Sequence, residues 1–143
     1  MPRASEIHNE TAKAWNARDF NQLRNMMHPE YTYTGSDGKE VDGGPEGGLA
    51  IAKMFASAFP DGVLEVKRVF TQGDTAIAEM VGRGTQRGTF LGVPPTNRRV
   101  EVAICNVIEL RDGKVYRERE YMDMLSIMNQ LGVAATAQKT KTA

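Results

Sequence analysis

The chain has 143 residues, 41% hydrophobic and 25% charged, and its 18 basic side chains balance 18 acidic ones. That length fits one domain, which buries about two-thirds of its unfolded surface without a covalent staple. Zero net charge excludes broad binding to a nucleic-acid backbone, the lone Cys105 excludes an internal disulfide, and no apolar run is long enough to span a bilayer.

Ser5 is placed to cap a first helix, whose buried stripe is Ile7, Thr11, Ala14 and Trp15. Asp19 is a second cap, with Gln22 at the capping-box position, for a helix over Phe20–Met27 that Pro29 stops. His28 then sits at that helix's C-terminal end, where the macrodipole favours it. Glu30–Thr34 is expected to be a short strand and 35–44 a polar, glycine-rich loop. Pro45 opens a third helix with Leu49, Ala52, Phe55 and Phe59 on its apolar face. After the turn Pro60-Asp61-Gly62 the chain becomes strand-like: Leu64–Thr71, a Gly73-Asp74 turn, Thr75–Gly84, then Arg98–Leu110. Asp112-Gly113 is a two-residue hairpin signal, leading into a strand over Lys114–Met122. Met124–Leu131 is a terminal helix stopped by Gly132. Residues 1–133 are expected to form the domain, and 134–143, small, polar and partly basic, a disordered tail.

Helices first and antiparallel strands later describe an α+β domain, a curved antiparallel sheet with helices on one face. The strand Arg98–Leu110 carries Val100, Val102, Ile104 and Ile108 on one face and Ala103, Cys105 and Val107 on the other, so both faces are expected to be covered. The outer one is the expected homodimer surface.

Arg119, Tyr121 and Asp123 share one face of the last strand by alternation. If that face lines a cavity, Asp123 is a carboxylate in a partly apolar setting, with its pKa raised by desolvation and pulled down by Arg119. Asp123 also immediately precedes the terminal helix and fits its N-cap, so cap and acid/base readings both stand. Gln86 is either a holder of a carbonyl oxygen or a solvated strand end, and it cannot shuttle a proton. Asn106 is the neutral amide of the long strand. Tyr33 is either a pocket hydroxyl or a half-buried core tyrosine, and Trp15 and Phe59 are core residues or ligand contacts. Two histidines, His8 and His28, cannot build a multi-histidine metal site, and the acidic spacing suits no oxygen-ligand site.

The stretch from Gly84-Thr85-Gln86 through Arg98-Arg99-Val100, the Asp112-Gly113 turn, Tyr121-Met122-Asp123 and the closing Gln130-Leu131-Gly132 resembles the SnoaL-like polyketide cyclases. These belong to the cone-shaped (cystatin-like) superfamily that also holds nuclear transport factor two, scytalone dehydratase and ketosteroid isomerase. The resemblance implies a single cone-shaped domain around an internal pocket and a cofactor-independent intramolecular aldol condensation on a small hydrophobic or polyketide-like ligand. It places Asp123 at the acid/base position, with Gln86, Asn106, Tyr33 and Tyr121 as oxygen holders and Arg119, Trp15 and Phe59 completing the substrate-binding set. Gln86 stands where such sequences usually carry histidine in Gly-Thr-His, and Tyr33 where many carry another histidine. The alternatives are a non-catalytic small-molecule-binding or dimerisation module of the same fold, or an isomerase, dehydratase or epoxide hydrolase. The expected setting is a cytoplasmic protein without nucleic-acid, membrane or metal partners.

Overall fold

In the computed structural model, which describes residues 3–133, four helices pack on a curved five-stranded sheet to form one α+β domain. The tail expectation for 134–143 lies outside the described residues. Helices α1 (Ala4–Asn16), α2 (Phe20–Asn25) and α3 (Gly44–Ala58) come early, with strand β1 (Met27–Thr34) between α2 and α3. Strands β2 (Val63–Gln72), β3 (Thr75–Thr85), β4 (Arg99–Arg111) and β5 (Lys114–Met122) follow, and α4 (Met124–Leu131) ends the domain.

The strands lie in the order β1-β5-β4-β3-β2. Three of the four pairings are antiparallel, whereas β1 runs parallel to β5. The sheet is therefore mixed, which corrects the all-antiparallel expectation. A parallel neighbour needs a long crossover, and everything between β1 and β5 supplies it. The second helix is also shorter than its pattern suggests: it ends at Asn25, so His28 and Pro29 lie in β1. Pro29 is tolerated there because β1 is an edge strand. His28 is buried, accepts the Glu30 N–H at Nδ1 (3.0 Å) and faces Asp112 across 3.4 Å.

The caps explain most element boundaries. Asp19 accepts the Gln22 N–H at 3.0 Å and starts α2. Helix α1 begins at Ala4 after Arg3, so Ser5 sits inside its first turn instead of capping it. Asp112 and Gly113 have φ values of 53° and 74°, the left-handed pair that a two-residue hairpin turn between β4 and β5 requires. Gly48 lets α3 lie against β1, because a Cβ there would fall 2.3 Å from Tyr31 Cε1.

The concave face of the sheet is the apolar one. Ala78, Met80, Val100, Val102 and Ile104 meet Phe55, Phe59, Phe90 and the inner side of α4 in one cluster. Ile7, Tyr31, Tyr33, Ala76, Ile108 and Val115 form a second cluster beneath α1 and α3. Burying this continuous surface drives the fold at about 25 cal/mol per Å² of apolar area. Between this face and helices α1 and α3 the packing leaves a gap, and that gap is the cavity.

Candidate active site

The cavity holds about 160 Å³ and lies between the concave face and helices α1 and α3. Trp15, Phe55, Phe59, Met80, Ile104 and Met122 wall it with apolar surface. Six of its polar side chains converge at one end. β5 contributes Glu118 and Glu120, β4 Asn106, β1 Tyr31 and Tyr33, and α1 His8.

These six side chains form one hydrogen-bonded network. Tyr33 donates its hydroxyl to Glu120 Oε1 at 2.8 Å, and Tyr31 donates to Glu118 Oε1 at 2.5 Å. Asn106 Nδ2 donates to both carboxylates, at 2.8 Å to Glu118 and 3.3 Å to Glu120. Its Oδ1 therefore accepts from His8 Nε2, 2.8 Å away. That bond puts the proton of a neutral imidazole on Nε2 and leaves a lone pair on Nδ1, which is buried without a hydrogen-bond partner among the described residues.

Burial sets the protonation of the network. Desolvation lowers the His8 pKa against the opposing effect of its Asn106 bond, so the ring is neutral. Desolvation, then the nearby carboxylates, raise both tyrosines, which remain donors. Glu120 is pushed up to about 7, first by desolvation and then by the negative charge of Glu118. The bonds from Tyr33 and Asn106 oppose that rise but do not cancel it. A carboxyl held near neutrality inside an apolar cavity is equipped to take and return a proton.

Asp123 is elsewhere. It is solvent-exposed, and its side chain accepts the Ser126 N–H at 2.9 Å as the N-cap of α4. Tyr121 is 49% exposed on the convex face, and Arg119 pairs there with Glu109. The expectation that Arg119, Tyr121 and Asp123 line the cavity is thus reversed, and the cause is one residue. An unbroken hairpin closed at Asp112-Gly113 would pair Asn106 with Arg119. Instead Leu110 pairs with Val115 but Glu109 pairs with Arg117, leaving Tyr116 as an extra residue. This bulge moves the register by one, so Asn106 faces Glu120 and Ile104 faces Met122. Glu118 and Glu120 turn inward.

The structure places Asn106, Tyr33, Trp15 and Phe59 on the cavity wall. It does not place Gln86 there; that residue is fully buried but belongs to the 86–97 loop. Gln86 Nε2 donates to the carbonyls of Gly88, Val93 and Pro94, at 3.2, 2.9 and 3.2 Å. Its Oε1 accepts from the Thr96 N–H and hydroxyl at 3.1 and 2.7 Å. Gln86 is not a solvated strand end, and it does not line the cavity. It ties a loop that carries Phe90 onto Phe55 and Phe59. Sequence reasoning does not single out Glu118, Glu120, Tyr31 or His8. The available signal is two glutamates spaced i, i+2 in a strand whose outward positions already hold charge. Among the described residues no three of His, Cys, Asp and Glu converge as a metal site.

The cap role of Asp123 carries its own prediction. Asp123→Asn should leave stability nearly unchanged, because asparagine caps equally well, and Asp123→Ala should cost about 1 kcal/mol. Neither should alter turnover. Thermal unfolding and an activity assay on both variants check this.

A family model described as SnoaL-like polyketide cyclase matches residues 6–131. Nogalonic acid methyl ester cyclase of Streptomyces nogalater is 25% identical over 120 residues, covering 83% of this chain and 90% of its own length. Aklanonic acid methyl ester cyclase of Streptomyces peucetius is 27% identical over 122 residues, 84% of each chain. The structure of TsrD from Streptomyces laurentii superposes with a TM-score of 0.82 at 30% identity, covering 93% of this chain and 98% of that one. With the match spanning nearly every described element, this chain belongs to the SnoaL-like polyketide cyclase family.

Proposed function

We propose that the protein catalyses a cofactor-independent intramolecular aldol cyclisation of a small polyketide-type substrate, with Glu120 as the acid/base. The observation that carries this reading is the Glu120 carboxyl in an apolar-walled cavity, pushed up to about 7 and held by Tyr33 and Asn106. The relatives that cyclise polyketide esters support the reaction class.

The chemistry follows from the network. The ionised Glu120 takes a proton from a carbon next to a carbonyl, and the C–H electrons become an enolate. The enolate carbon attacks a second carbonyl carbon of the same molecule. A C–C bond forms, and the carbonyl's π electrons move to its oxygen. The protonated Glu120 returns the proton to that alkoxide. Product and substrate are isomers, so no electrons are exchanged with a third party. Once Glu120 is protonated it is a weaker acceptor for Tyr33. The Tyr33 hydroxyl is then free to rotate toward a substrate oxygen. Trp15, Phe55 and Phe59 hold the chain folded so that the two carbons meet, which itself contributes several kcal/mol.

Methyl naphthoylacetate in deuterated water tests the first step. The protein should exchange its acidic methylene protons for deuterium well above the buffer rate, as read by proton NMR. Exchange at the buffer rate would contradict the proposal and leave the non-catalytic binding module as the better reading.

The same reading takes the protein to act as a cytoplasmic homodimer. Support for the dimer comes from the convex face, where Phe70 and Ile77 are exposed side by side, Val107 lies beside Ile77, and Cys105 and Tyr121 pair further along the same face. Sedimentation at micromolar concentration should give a dimer, and a clean monomer would end this part of it.

A further inference from the structure

The chain has 8 methionines, and all of those among the described residues stand on or against the cavity wall. Met26, Met27, Met80 and Met122 line it. Met54 from α3, with Met124 and Met128 from α4, packs against the apolar cluster that frames it. These positions are scattered over helices and strands, so no single element's periodicity accounts for them. Two of them hold a special place on the floor. Met80 of β3 pairs with Ile104 of β4, and Ile104 pairs with Met122 of β5, which makes one row across the sheet. The neighbouring row on the same face is Ala78, Asn106 and Glu120. Same-face neighbours along a strand are about 7 Å apart. A ligand whose reacting carbon meets Glu120 and whose body extends into the apolar part of the cavity therefore lies across Met80 and Met122.

Size makes this row matter. The cavity holds about 160 Å³, and an apolar cavity of about 150 Å³ takes a benzene ring. A ring bearing a chain with two carbonyls, as the proposed cyclisation requires, exceeds that volume. Close packing means that a larger ligand enters only if wall atoms move. Methionine is the side chain that moves most cheaply: it is unbranched, has three rotatable bonds and fills irregular gaps from several rotamers. We infer that Met80 and Met122 are the residues that determine ligand size: their side chains swing aside on binding, so the site takes flat aromatic ketones of two fused rings that its resting volume excludes. Fit on the apolar side is then adaptable, and only the polar end at Glu120 and Asn106 is fixed. The inference rests on the cavity being the ligand site proposed above, but it concerns binding and needs no turnover.

Acetophenone and 2-acetonaphthone carry the same acetyl group on one ring and on two fused rings. Titrating each into the full chain labelled with methyl-13C methionine, with signals assigned from single Met→Leu variants, reads affinity and contact together. The wild type should bind 2-acetonaphthone at least about tenfold more tightly than acetophenone, because more apolar surface is buried. The Met80 and Met122 methyl signals should move most. Isoleucine fills nearly the volume of methionine and suits a strand, but its branched Cβ is stiff. The pair Met80→Ile and Met122→Ile should leave acetophenone binding within about twofold and weaken 2-acetonaphthone about tenfold. A wild type that binds the larger ketone no better than the smaller would overturn the inference. So would an isoleucine pair that binds 2-acetonaphthone as wild type does, or one that weakens both ketones equally. The wild-type comparison decides the matter even if the double variant fails to fold. Deuterium exchange without this size adaptation would sink the inference and leave the proposed activity standing, and size-adapted binding without exchange would do the reverse.

Discussion

Glu120→Gln should lower turnover by about a thousandfold, within the range that general acid/base catalysis contributes, and should also make the protein more stable above neutral pH. The stability effect follows from linkage. The folded-state pKa of Glu120 is raised to about 7, whereas glutamate in an unfolded chain titrates at about 4.3. Between these values the folded protein holds a proton that the unfolded chain has released, so stability falls as pH rises through this window. Above about pH 7 the full cost of keeping the carboxylate ionised in the cavity is present, about 4 kcal/mol. Glutamine carries no charge and still accepts from Tyr33, but its amide loses the 3.3 Å contact with Asn106. The net gain should be about 2 kcal/mol at about pH 8 and should vanish toward about pH 5. Denaturant titrations of both proteins across this range measure it. A variant less stable than wild type at about pH 8 would mean that the carboxylate is not strained there. Losing activity while gaining stability is the expected signature of a functional group held in an unfavourable place.

The second large effect concerns Gln86→Ala. It removes all five of the Gln86 side-chain hydrogen bonds at a fully buried position. Each is worth about 1 kcal/mol net, but the buried carbonyls of the 86–97 loop would be left without this donor. The expected loss is about 3 kcal/mol, or a melting temperature lower by roughly 10 °C for a chain of this size. Because the same loop seats Phe90 against Phe55 and Phe59, KM should rise with little change in kcat. A silent substitution in both assays would mean that the loop is held by its backbone alone. A fall in kcat at unchanged stability would instead restore Gln86 as a participant in the chemistry.

Much of the fold is legible because its signals are local. The Asp112-Gly113 turn, the Asp19 and Asp123 caps and the Gly132 stop each act within a few residues. The β5 and α4 boundaries follow from them. The even-numbered aliphatic set of β4 also identifies the concave face, and with it Asn106. What is not legible depends on register. The bulge at Tyr116 has no compositional mark in Lys114-Val115-Tyr116-Arg117, and a single extra residue exchanges the two faces of a strand. An otherwise sound count therefore puts Asp123 inside and Glu120 outside. The parallel pairing of β1 is likewise non-local, and it alone brings Tyr31 and Tyr33 onto the glutamates. His8 sits 98 residues from Asn106 in sequence, and no spacing rule connects them. Gln86 reads as a contact or as a solvated end because a glutamine bonding a loop to itself has no pattern beyond its own composition.

The pH dependence of kcat/KM is the most direct test of Glu120 as the base. A base works ionised, so the rate should climb with pH on a single limb whose apparent pKa, belonging to the Glu118–Glu120 pair, is about 7. In Glu118→Gln the limb should move to lower pH, because the neighbouring charge that helps to raise it is gone. A profile that is flat between about pH 5 and about pH 9, or a limb that Glu118→Gln leaves in place, would contradict the assignment.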